Sequence, residues 1–504
     1  MVRGDDQVFH RKLRMVDADT LRQLIDGHFE WLLVREGGRS FPLNCDELDV
    51  DARDGKALFG FPDDAGFHSW RLNGFRPDGH EIELDVAGAF GKNRETVRLI
   101  PRTAASELTA EIELARLQRA NEFGRLIADS CHGTRLERVA LNAYNGRIAQ
   151  ITFVRDGKHI AAIADVTDKL TAETMSAAAM LWFEKLGARK KKPVLDIWII
   201  AERRGARNLQ KLHALFTARW KSVISIVEVS RKVDPPLLVE LPKRNIRDLW
   251  RERSRKLTLP ANPQPSETAA AIIALSPANI DIVYSKQGET LRFYGLPFAR
   301  VRTILGRERT WFGIRKDRRI LTFENADQLA GLVAELELHR SPDPPNRRHE
   351  LYRAAPEAWL ESILRRNIKL LDDNLILAPI YNQFRSSNDK IDLLALRKDG
   401  RLVIIELKTK PDREMIFQAA DYWRKIELQR RRGILAEADL FGGREILDKP
   451  ALVYVAAPAL SFHRDLDLFA AAIDPEIEIW RFELHEKWRG AVKVVGRRSH
   501  SESH

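Results

Sequence analysis

The sequence has little cysteine and no long apolar runs, and these absences exclude several kinds of protein. Cys45 and Cys131 are the only cysteines, and they lie far apart without a CxxC spacing. A disulfide framework and a cysteine zinc site are therefore excluded. No apolar run approaches the roughly 18 residues of a membrane span, and the first residues lack the apolar core of a secretory signal. We expect a soluble, cytoplasmic protein without a membrane partner.

Three common cofactor and metal signatures are also missing. The sequence contains no Walker-type loop, no GxGxxG after a predicted strand and no HExxH. The chemistries that depend on these motifs therefore find no support in the sequence.

The chain is long and basic, but its composition is that of a folded protein. Its 504 residues exceed the roughly 250–300 residues at which one hydrophobic core stops growing, so several domains are expected. Apolar residues make up 44% and charged residues 31%, which is typical of globular chains and not of disordered ones. The net charge of +11 favours a polyanionic partner.

The spacing of apolar and turn residues predicts a multidomain protein of α/β and α+β type. Short apolar stretches punctuated by Gly, Pro and Asp-Gly predict strands in the first part, and helical spacing begins at Ala104. Pro260, Pro263 and Pro265 lie among small and polar residues and predict a linker. The predicted parts are a β-rich N-terminal domain (1–103), an α/β domain (104–254), a small basic α+β module (267–340), a C-terminal α/β domain (347–490) and a disordered tail (491–504).

One predicted hairpin, residues 388–410, carries charges in an otherwise apolar setting. Its two strands are joined by a tight turn at residues 398–400. Glu406 and Lys408 are two residues apart on the second strand, so they point to the same face. Antiparallel pairing would bring Asp392, on the first strand, across from Glu406.

This arrangement favours a divalent cation. Two neighbouring carboxylates repel each other unless positive charge lies between them. Oxygen ligands suit Mg²⁺, so Asp392, Glu406 and the backbone carbonyl of Leu407 form an adequate set. Lys408 would then orient, or help to deprotonate, a water that attacks phosphorus. The alternative is a structural salt bridge at a strand edge.

These residues resemble the motif of the PD-(D/E)xK nuclease superfamily, in which an Asp is followed by Glu-x-Lys. Gln418 and Tyr422, on a predicted helix, match the QxxxY element of RecB-like members. Glu361 lies on the helix before the hairpin, where such nucleases often supply a further acidic residue. The order of helix, hairpin and helix is most similar to that in the C-terminal domain of NucS-type endonucleases. The resemblance covers roughly residues 350–460. Lys390 departs from the pattern, because the family commonly has glycine there.

The resemblance implies a restriction-endonuclease-like fold for the C-terminal domain and hydrolysis of DNA with Mg²⁺ or Mn²⁺. It implies catalytic roles for Gln418 and Tyr422, a metal-ligand role for Glu361, and pathways of repair, restriction or phage defence. A homodimer is expected by the same analogy. Glu361 could instead be a solvated helix residue, and Gln418 and Tyr422 an ordinary helix face. The domain could also be catalytically silent, so that the chain only binds nucleic acid or serves as a scaffold.

Residues 147–169 resemble the charged hairpin in length, apolar pattern and their Asp-Gly turn. Aligned without gaps, Ala149 replaces Asp392, Ile163 replaces Glu406, and Asp165 replaces Lys408. We interpret the α/β domain 104–254 as a degenerate nuclease-like duplicate that binds or braces. The alternative is an unrelated domain with a common hairpin.

The small module is rich in basic and aromatic residues. Nine basic residues lie between Leu291 and Ile320, interleaved with aromatics, a mixture suited to phosphate contact and base stacking. Candidate nucleic-acid contacts are Arg292, Arg300, Arg302, Trp311, Arg315, Arg318 and Arg319. Arg424 and Lys425, on the helix after Gln418, are candidates beside the carboxylates. The alternative is that the aromatics are core residues and the arginines are merely solvated.

Overall fold

The protein folds into two compact units, described by a computed structural model. The first unit comprises Met1–Arg207 and Val223–Leu241, and the second comprises Asn208–Ser222 and Pro242–His504. The structure describes residues 15–35, 40–53, 56–63, 66–87, 94–102, 105–187, 193–232, 234–252, 263–285, 288–304, 307–314, 317–378 and 392–500. Within these ranges no helix is long and apolar enough to cross a membrane. Most of the predicted linker, including Pro260, falls outside the described residues.

An antiparallel sheet forms the N-terminal part of the first unit. Its strands are β1 (Glu30–Arg35), β2 (Ser40–Asn44), β3 (Asp49–Arg53), β4 (Lys56–Asp63), β5 (Gly66–Asp78), β6 (Glu81–Ala87) and β7 (Arg94–Pro101). They pair in the order β2-β1-β7-β6-β5-β4-β3. In β6, Ile82, Leu84 and Val86 are buried while the intervening residues are less so, as expected for a sheet with one core face. Helix α1 (Met15–Asp26), which the sequence pattern did not predict, packs against this core.

A mixed sheet forms the second part of the first unit. Its strands are β8 (Arg135–Leu141), β9 (Ile148–Arg155), β10 (Lys158–Asp165), β11 (Val194–Glu202), β12 (Ile224–Ser230) and β13 (Leu237–Glu240), in the order β13-β12-β11-β10-β9-β8. Helix α2 (Ala105–Ser130) precedes the sheet, and α3 (Ala172–Gly187) connects β10 to β11. Apolar residues at helical spacing, including Phe123 and Ile127, place α2 on the core side of the sheet.

Two further helices follow β11 along the chain. They are α4 (Arg203–His213) and α5 (Ala218–Val223). Residues 208–222, which carry parts of both helices, belong to the second unit, where Phe216 lies 5.6 Å from Phe417 between ring centroids.

The basic module is a five-stranded antiparallel sheet with helices on one face. Its elements are α6 (Glu267–Ala274), β14 (Ile280–Ser285), β15 (Gly288–Phe293), β16 (Leu296–Ile304), β17 (Arg307–Phe312), β18 (Arg319–Ile320) and α7 (Ala326–His339). Ile272 of α6 and Val333 of α7 share one core with Leu291 and Val301 of the sheet. Strand residues that alternate with Leu291 and Val301 therefore point away from the helices.

The C-terminal domain is built on a second mixed sheet. Its helices are α8 (Glu350–Arg353), α9 (Pro356–Arg366), α10 (Met415–Arg431), α11 (Ile434–Glu437) and α12 (Leu466–Ala470). Its strands are β19 (Leu375–Leu377), β20 (Leu393–Arg397), β21 (Leu402–Leu407), β22 (Leu452–Pro458), β23 (Ile479–Leu484) and β24 (Val494–Ser499), and they pair in that order. Helix α10 connects β21 to the parallel strand β22.

The expectation of a disordered tail from residue 491 is wrong for part of that segment. Strand β24 pairs antiparallel with β23, and His500 N donates to the carbonyl of Ile479. The polar composition of these residues suggested disorder, but an edge strand is stabilised through its backbone and can keep polar side chains in water. Residues 501–504 lie outside the described ranges.

The two mixed sheets have the same strand order and the same strand directions. In each, the pairs along the sheet run antiparallel, antiparallel, parallel, parallel and antiparallel. The pairing corrects the ungapped alignment of the hairpins. Ala149 pairs with Ala164, and Ile163 pairs with Gln150, because β9 and β10 are joined by the two residues Asp156 and Gly157, a shorter connection than that between β20 and β21. No carboxylate pair faces across β9 and β10 in this register.

A buried arginine joins the basic module to the C-terminal domain. The Arg340 guanidinium is completely buried and donates to five main-chain carbonyls. These belong to Phe293 (3.0 Å), Tyr294 (2.8 Å), Leu351 (2.8 Å), Ala354 (2.6 Å) and Ala355 (3.3 Å). It also lies over Trp359, 4.6 Å from the ring centroid. Burial lowers the pKa of Arg340 to about 9, and the charge of Arg489 adds to this shift.

Candidate active site

The hairpin β20–β21 places Asp392 next to the carboxyl end of β21. Leu393 pairs with Ile405, so the preceding Asp392 lies opposite Glu406. The Leu407 N–H donates to Asp392 Oδ2 at 2.8 Å. Because the N–H and C=O of a strand residue point to the same side, the Leu407 carbonyl also faces Asp392. The Asp side chain thus caps the strand where the backbone ladder ends.

Alternation along β21 separates its apolar residues from its charged ones. Ile405 and Leu407 belong to the apolar cluster that includes Trp359 and Leu360 of α9. Glu406 and Lys408 therefore point to the opposite face, and only 2% of Glu406 and 8% of Lys408 is exposed. Two ionisable side chains are thus buried in adjacent positions on one face.

Lys408 contacts two carboxylates. Its Nζ is 2.7 Å from Glu406 Oε1 and 3.4 Å from Asp412 Oδ2. Burial by itself would lower the pKa of Lys408, but Glu406, Asp412 and Asp392 outweigh it and raise the pKa. The neighbouring carboxylates thus favour the ammonium form of Lys408.

Glu406 is a strongly perturbed carboxylate of the site. Burial raises its pKa well above the ordinary value, and the charge of Asp392 raises it further, against the opposing effect of Lys408. Its Oε2 is buried and has no hydrogen-bond partner among the described residues. A buried carboxylate oxygen without a donor is costly, so the site is incomplete as a purely structural salt bridge.

Helix α10 brings Tyr422 to the same site. Burial raises the pKa of Tyr422, and the negative charges of Glu406 and Asp392 raise it further. Gln418 is half-buried and lies one turn earlier on α10, so it shares a helix face with Tyr422.

Glu361 is held elsewhere. It lies on α9, whose apolar residues pack on the sheet face opposite to Glu406. Its Oε1 is 3.6 Å from Arg292 Nη1 and 3.9 Å from Arg365 Nη1. Glu361 is buried and ion-paired, so it is not a solvated helix residue. The pairing with two guanidinium groups does not favour the expected role of metal ligand.

Two loops at the site escaped the sequence analysis. Asp412 lies in the loop after β21, and Ser461 lies in the loop after β22, where its Oγ donates to the Thr409 carbonyl at 3.2 Å. Burial lowers the pKa of the nearby His463, while Asp465 and Asp412 oppose that shift. The succession of β21, α10 and β22 could have pointed to both loops. It corresponds to a parallel pair of strands, and the carboxyl ends of parallel neighbours meet at one edge of a sheet.

The donor set fits a hard divalent cation, although it is small. In the described part of the chain, no group of three or more His, Cys, Asp or Glu side chains is arranged to hold a metal ion. The site offers the carboxylates of Asp392 and Glu406 and the carbonyl of Leu407. Mg²⁺ and Mn²⁺ favour such oxygen donors, and Mg²⁺ commonly keeps several waters besides one or two carboxylates. The partnerless Glu406 oxygen and the raised Glu406 pKa are the features that a cation would relieve.

Three predicted nucleic-acid contacts are already engaged with acidic groups. Arg292 is buried, and its Nε and Nη2 donate to Asp281 at 2.8 and 3.1 Å. Arg424 is buried and donates to Asp421 at 2.7 Å, and Lys425 Nζ lies 3.1 Å from the same carboxylate. Sequence composition could not reveal these partners. Their placement argues against phosphate contacts by the three residues.

The remaining described candidates lie on the sheet face of the module that is turned away from α6 and α7, or beside that face. Arg300 and Arg302 alternate with Val301 and so point away from α6 and α7, with Trp311 paired to Arg300 and Arg309 paired to Arg302. Burial lowers the pKa of Arg300, and the charges of Arg302 and Arg318 lower it further, so these cations are close together. Arg318 and Arg319 are exposed. Arg315 lies outside the described residues.

Comparison with known proteins adds little to this geometry. No protein-family model matches the sequence, and no curated protein matches it. A crystal structure of a repair endonuclease from Pyrococcus abyssi matches with 14% identity, covering 45% of this chain and 99% of that chain, at a TM-score of 0.15. A likeness of that TM-score carries no argument. The function is therefore inferred from the residues of this chain.

Proposed function

We propose that the protein is a metal-dependent nuclease that hydrolyses phosphodiester bonds in DNA through a PD-(D/E)xK-type site. The observation that carries the proposal is the half-buried Asp392 opposite the buried Glu406, with one Glu406 oxygen lacking a partner in the described ranges. A structural salt bridge needs one carboxylate for one lysine. Here Asp392, Glu406 and Asp412 all act on Lys408, and a divalent cation would neutralise the excess negative charge.

The order of elements supports a restriction-endonuclease-like fold for residues 347–490. Helix α9 is followed by the antiparallel strands β19, β20 and β21, then by α10 and the parallel strand β22. The helix, hairpin and helix occur in the order that the resemblance implies. The site lies at the carboxyl end of β21, where substrate can approach from the loops.

Each residue has a distinct role in the proposed reaction. Asp392, Glu406 and the Leu407 carbonyl would hold Mg²⁺ or Mn²⁺, which would supply positive charge to the phosphodiester and acidify a bound water. Lys408 keeps its proton because its carboxylate neighbours raise its pKa. In the proposed reaction its ammonium donates a hydrogen bond that orients the attacking water or a phosphate oxygen. Tyr422 and Gln418 line the site from α10.

The basic module supplies a surface for the DNA. Arg300, Arg302 and Arg309 offer positive charge to phosphates, and Trp311 offers a ring for stacking. Repair, restriction and phage defence are all compatible with this combination of a nuclease site and a basic face.

The proposal is tested with wild type and Lys408→Ala on labelled single-stranded, duplex and flapped DNA, in Mg²⁺, Mn²⁺ or EDTA. Wild type is expected to cut only with metal, and the variant to be slower by about 10²–10³-fold, the usual effect of losing one transition-state donor. Lys398→Ala is the matched control, because Lys398 is exposed in the turn of the same hairpin and should leave the rate unchanged. Cleavage by Lys408→Ala at the wild-type rate would refute the site.

A second candidate is a catalytically silent nuclease fold that only binds nucleic acid. The close contact between Lys408 and Glu406 favours it, since a closed ion pair occupies the carboxylate that a cation would need. This interpretation predicts metal-independent binding of DNA by both proteins and no cleavage by either.

A further inference from the structure

The loop after β21 contains a carboxylate that the nuclease motif does not use. Asp412 Oδ2 lies 3.4 Å from Lys408 Nζ, which also makes the 2.7 Å contact with Glu406 Oε1. Lys408 is buried, and about a quarter of the Asp412 side chain, 28%, is exposed. A single buried ammonium is thus shared between two acceptors.

Asp412 is oriented by its own loop. Its Oδ1 accepts a hydrogen bond from the Glu414 N–H at 2.7 Å, at the start of α10. This bond fixes the carboxylate so that Oδ2 is the oxygen nearest to Lys408. The Ser461 hydroxyl donates to the Thr409 carbonyl and ties the same loop to the segment after β22. The position of Asp412 therefore does not depend on its contact with Lys408.

Glu406 has two competing uses. In the structure, its Oε1 accepts from Lys408, while its Oε2 has no hydrogen-bond partner in the described ranges. In the proposed nuclease, the same carboxylate binds a divalent cation. An ammonium that stays 2.7 Å from Glu406 would sit beside that cation, and like charges at such a distance repel strongly in a buried site. Lys408 needs another carboxylate if both cations are to be accommodated.

We infer that Asp412 is a positioning residue that holds the Lys408 ammonium away from Glu406 when a divalent cation occupies the site. This inference rests on the proposed function. Asp412 releases Glu406 to the cation and keeps Lys408 buried, charged and directed at the reacting phosphate. The motif residues alone do not provide this, because Asp392 is engaged by the Leu407 N–H and faces the cation itself.

The test is a double-mutant cycle on Mn²⁺ affinity, measured with the full chain by electron paramagnetic resonance of free Mn²⁺ and without DNA. Asp412→Asn keeps the shape of the side chain but removes its charge, and should weaken Mn²⁺ binding by about tenfold, as is typical for residues that orient metal ligands. Lys408→Met should bind Mn²⁺ at least as tightly as wild type. Asp412→Asn added to Lys408→Met should then have little further effect, because no ammonium competes for Glu406.

The control is Asp399→Asn, which changes a carboxylate in the turn at the other end of the same hairpin and should leave Mn²⁺ affinity unchanged. Equal weakening by Asp412→Asn with and without Lys408 would overturn the inference, since the effect would then come from the loop or from charge alone. Unchanged affinity in Asp412→Asn would overturn it as well. Absence of Mn²⁺ binding in folded wild type would instead refute the proposed function, and this inference with it.

Cleavage kinetics give a second readout. In Asp412→Asn the Mn²⁺ concentration at half-maximal rate should rise by about the same factor of ten, while KM for DNA is unchanged. Excess Mn²⁺ should then restore kcat, because mass action returns Glu406 to the cation. A loss of kcat that excess Mn²⁺ does not restore would indicate a merely structural role and overturn the inference.

Discussion

Replacing Arg340 with methionine should destabilise the second unit strongly, although no carboxylate faces this arginine in any contact described above. The guanidinium is completely buried, and it donates to the carbonyls of the β15 end and of the segment before α9. The methionine side chain would retain the apolar stem over Trp359 but leave these five acceptors without their donors.

The expected magnitude follows from two opposing effects. Hydrogen bonds to a charged donor contribute about 1.5–3 kcal/mol each, and the shorter bonds of Arg340 fall in the favourable range of distance. Against this stands the burial of the cation, which lowers the pKa from its ordinary value to about 9, equivalent to about 5 kcal/mol at 1.36 kcal/mol per pKa unit. Five bonds exceed that cost, and we expect Arg340→Met to lower the free energy of unfolding by about 3–5 kcal/mol.

The measurement is urea denaturation followed by tryptophan fluorescence, with hydrogen exchange locating the change at residues 290–296 and 350–366. Arg347→Met is the control, because Arg347 is exposed and pairs only with the exposed Asp343 in the contacts described; it should cost at most about 0.5 kcal/mol. If the two variants unfolded at the same urea concentration, the carbonyl cluster would not be the stabilising contact that the geometry indicates.

Two further predictions concern charged groups of the module. Asp281→Asn should destabilise the unit by about 3–5 kcal/mol at pH 7, because Arg292 and Arg365 lose a buried partner. Burial alone would raise the pKa of Asp281, but these arginines lower it below its ordinary value of 3.8. The difference in stability between variant and wild type should therefore persist above pH 3.8 and shrink as the pH falls through the lowered value; a difference that stays constant through that lowered value would contradict the linkage. Arg302→Ala should reduce the slope of log affinity for DNA against log salt concentration by about 0.7–0.9. Arg424→Ala should leave that slope unchanged, since Asp421 already binds its guanidinium, and equal slopes for all three proteins would refute the proposed basic face.

The hairpin could be predicted from sequence because its signals are local. The period of two put Glu406 and Lys408 on one face, and the turn at residues 398–400 set the register that brings Asp392 across from Glu406. Period and turn geometry are properties of neighbouring residues, and the sequence contains them directly.

The ion pairs of the module and of α9 could not be predicted, because their partners are distant in sequence. Arg292 was taken for a surface residue from the composition of its segment, yet it lies across from Asp281 in β14 and reaches Glu361 in α9. Glu361 was assigned to the metal site by its position before the hairpin, but the helix face it occupies is set by packing. Charge alone does not distinguish a solvated arginine from a buried one with a carboxylate partner.

The ungapped alignment of residues 147–169 with the charged hairpin does not match the strand pairing in the structure. The pairing register of the second strand differs by one residue between the two hairpins, so Ile163 pairs with Gln150 and not with Ala149. The length of each turn can be estimated from the sequence. Its effect on the register depends on which residues between β20 and β21 still pair, and the sequence does not show this.

The strand order that the two mixed sheets share shows which residues this arrangement of strands requires. In the first unit the positions facing each other near the strand ends are Gln150 with Ile163 and Ala149 with Ala164, and these described strands form without a buried cluster like that of Glu406 and Lys408. The strand order of the mixed sheet in the first unit is thus compatible with neutral residues at these positions. Burying ionised side chains in the C-terminal sheet is costly, and the strand order that both sheets share does not require it.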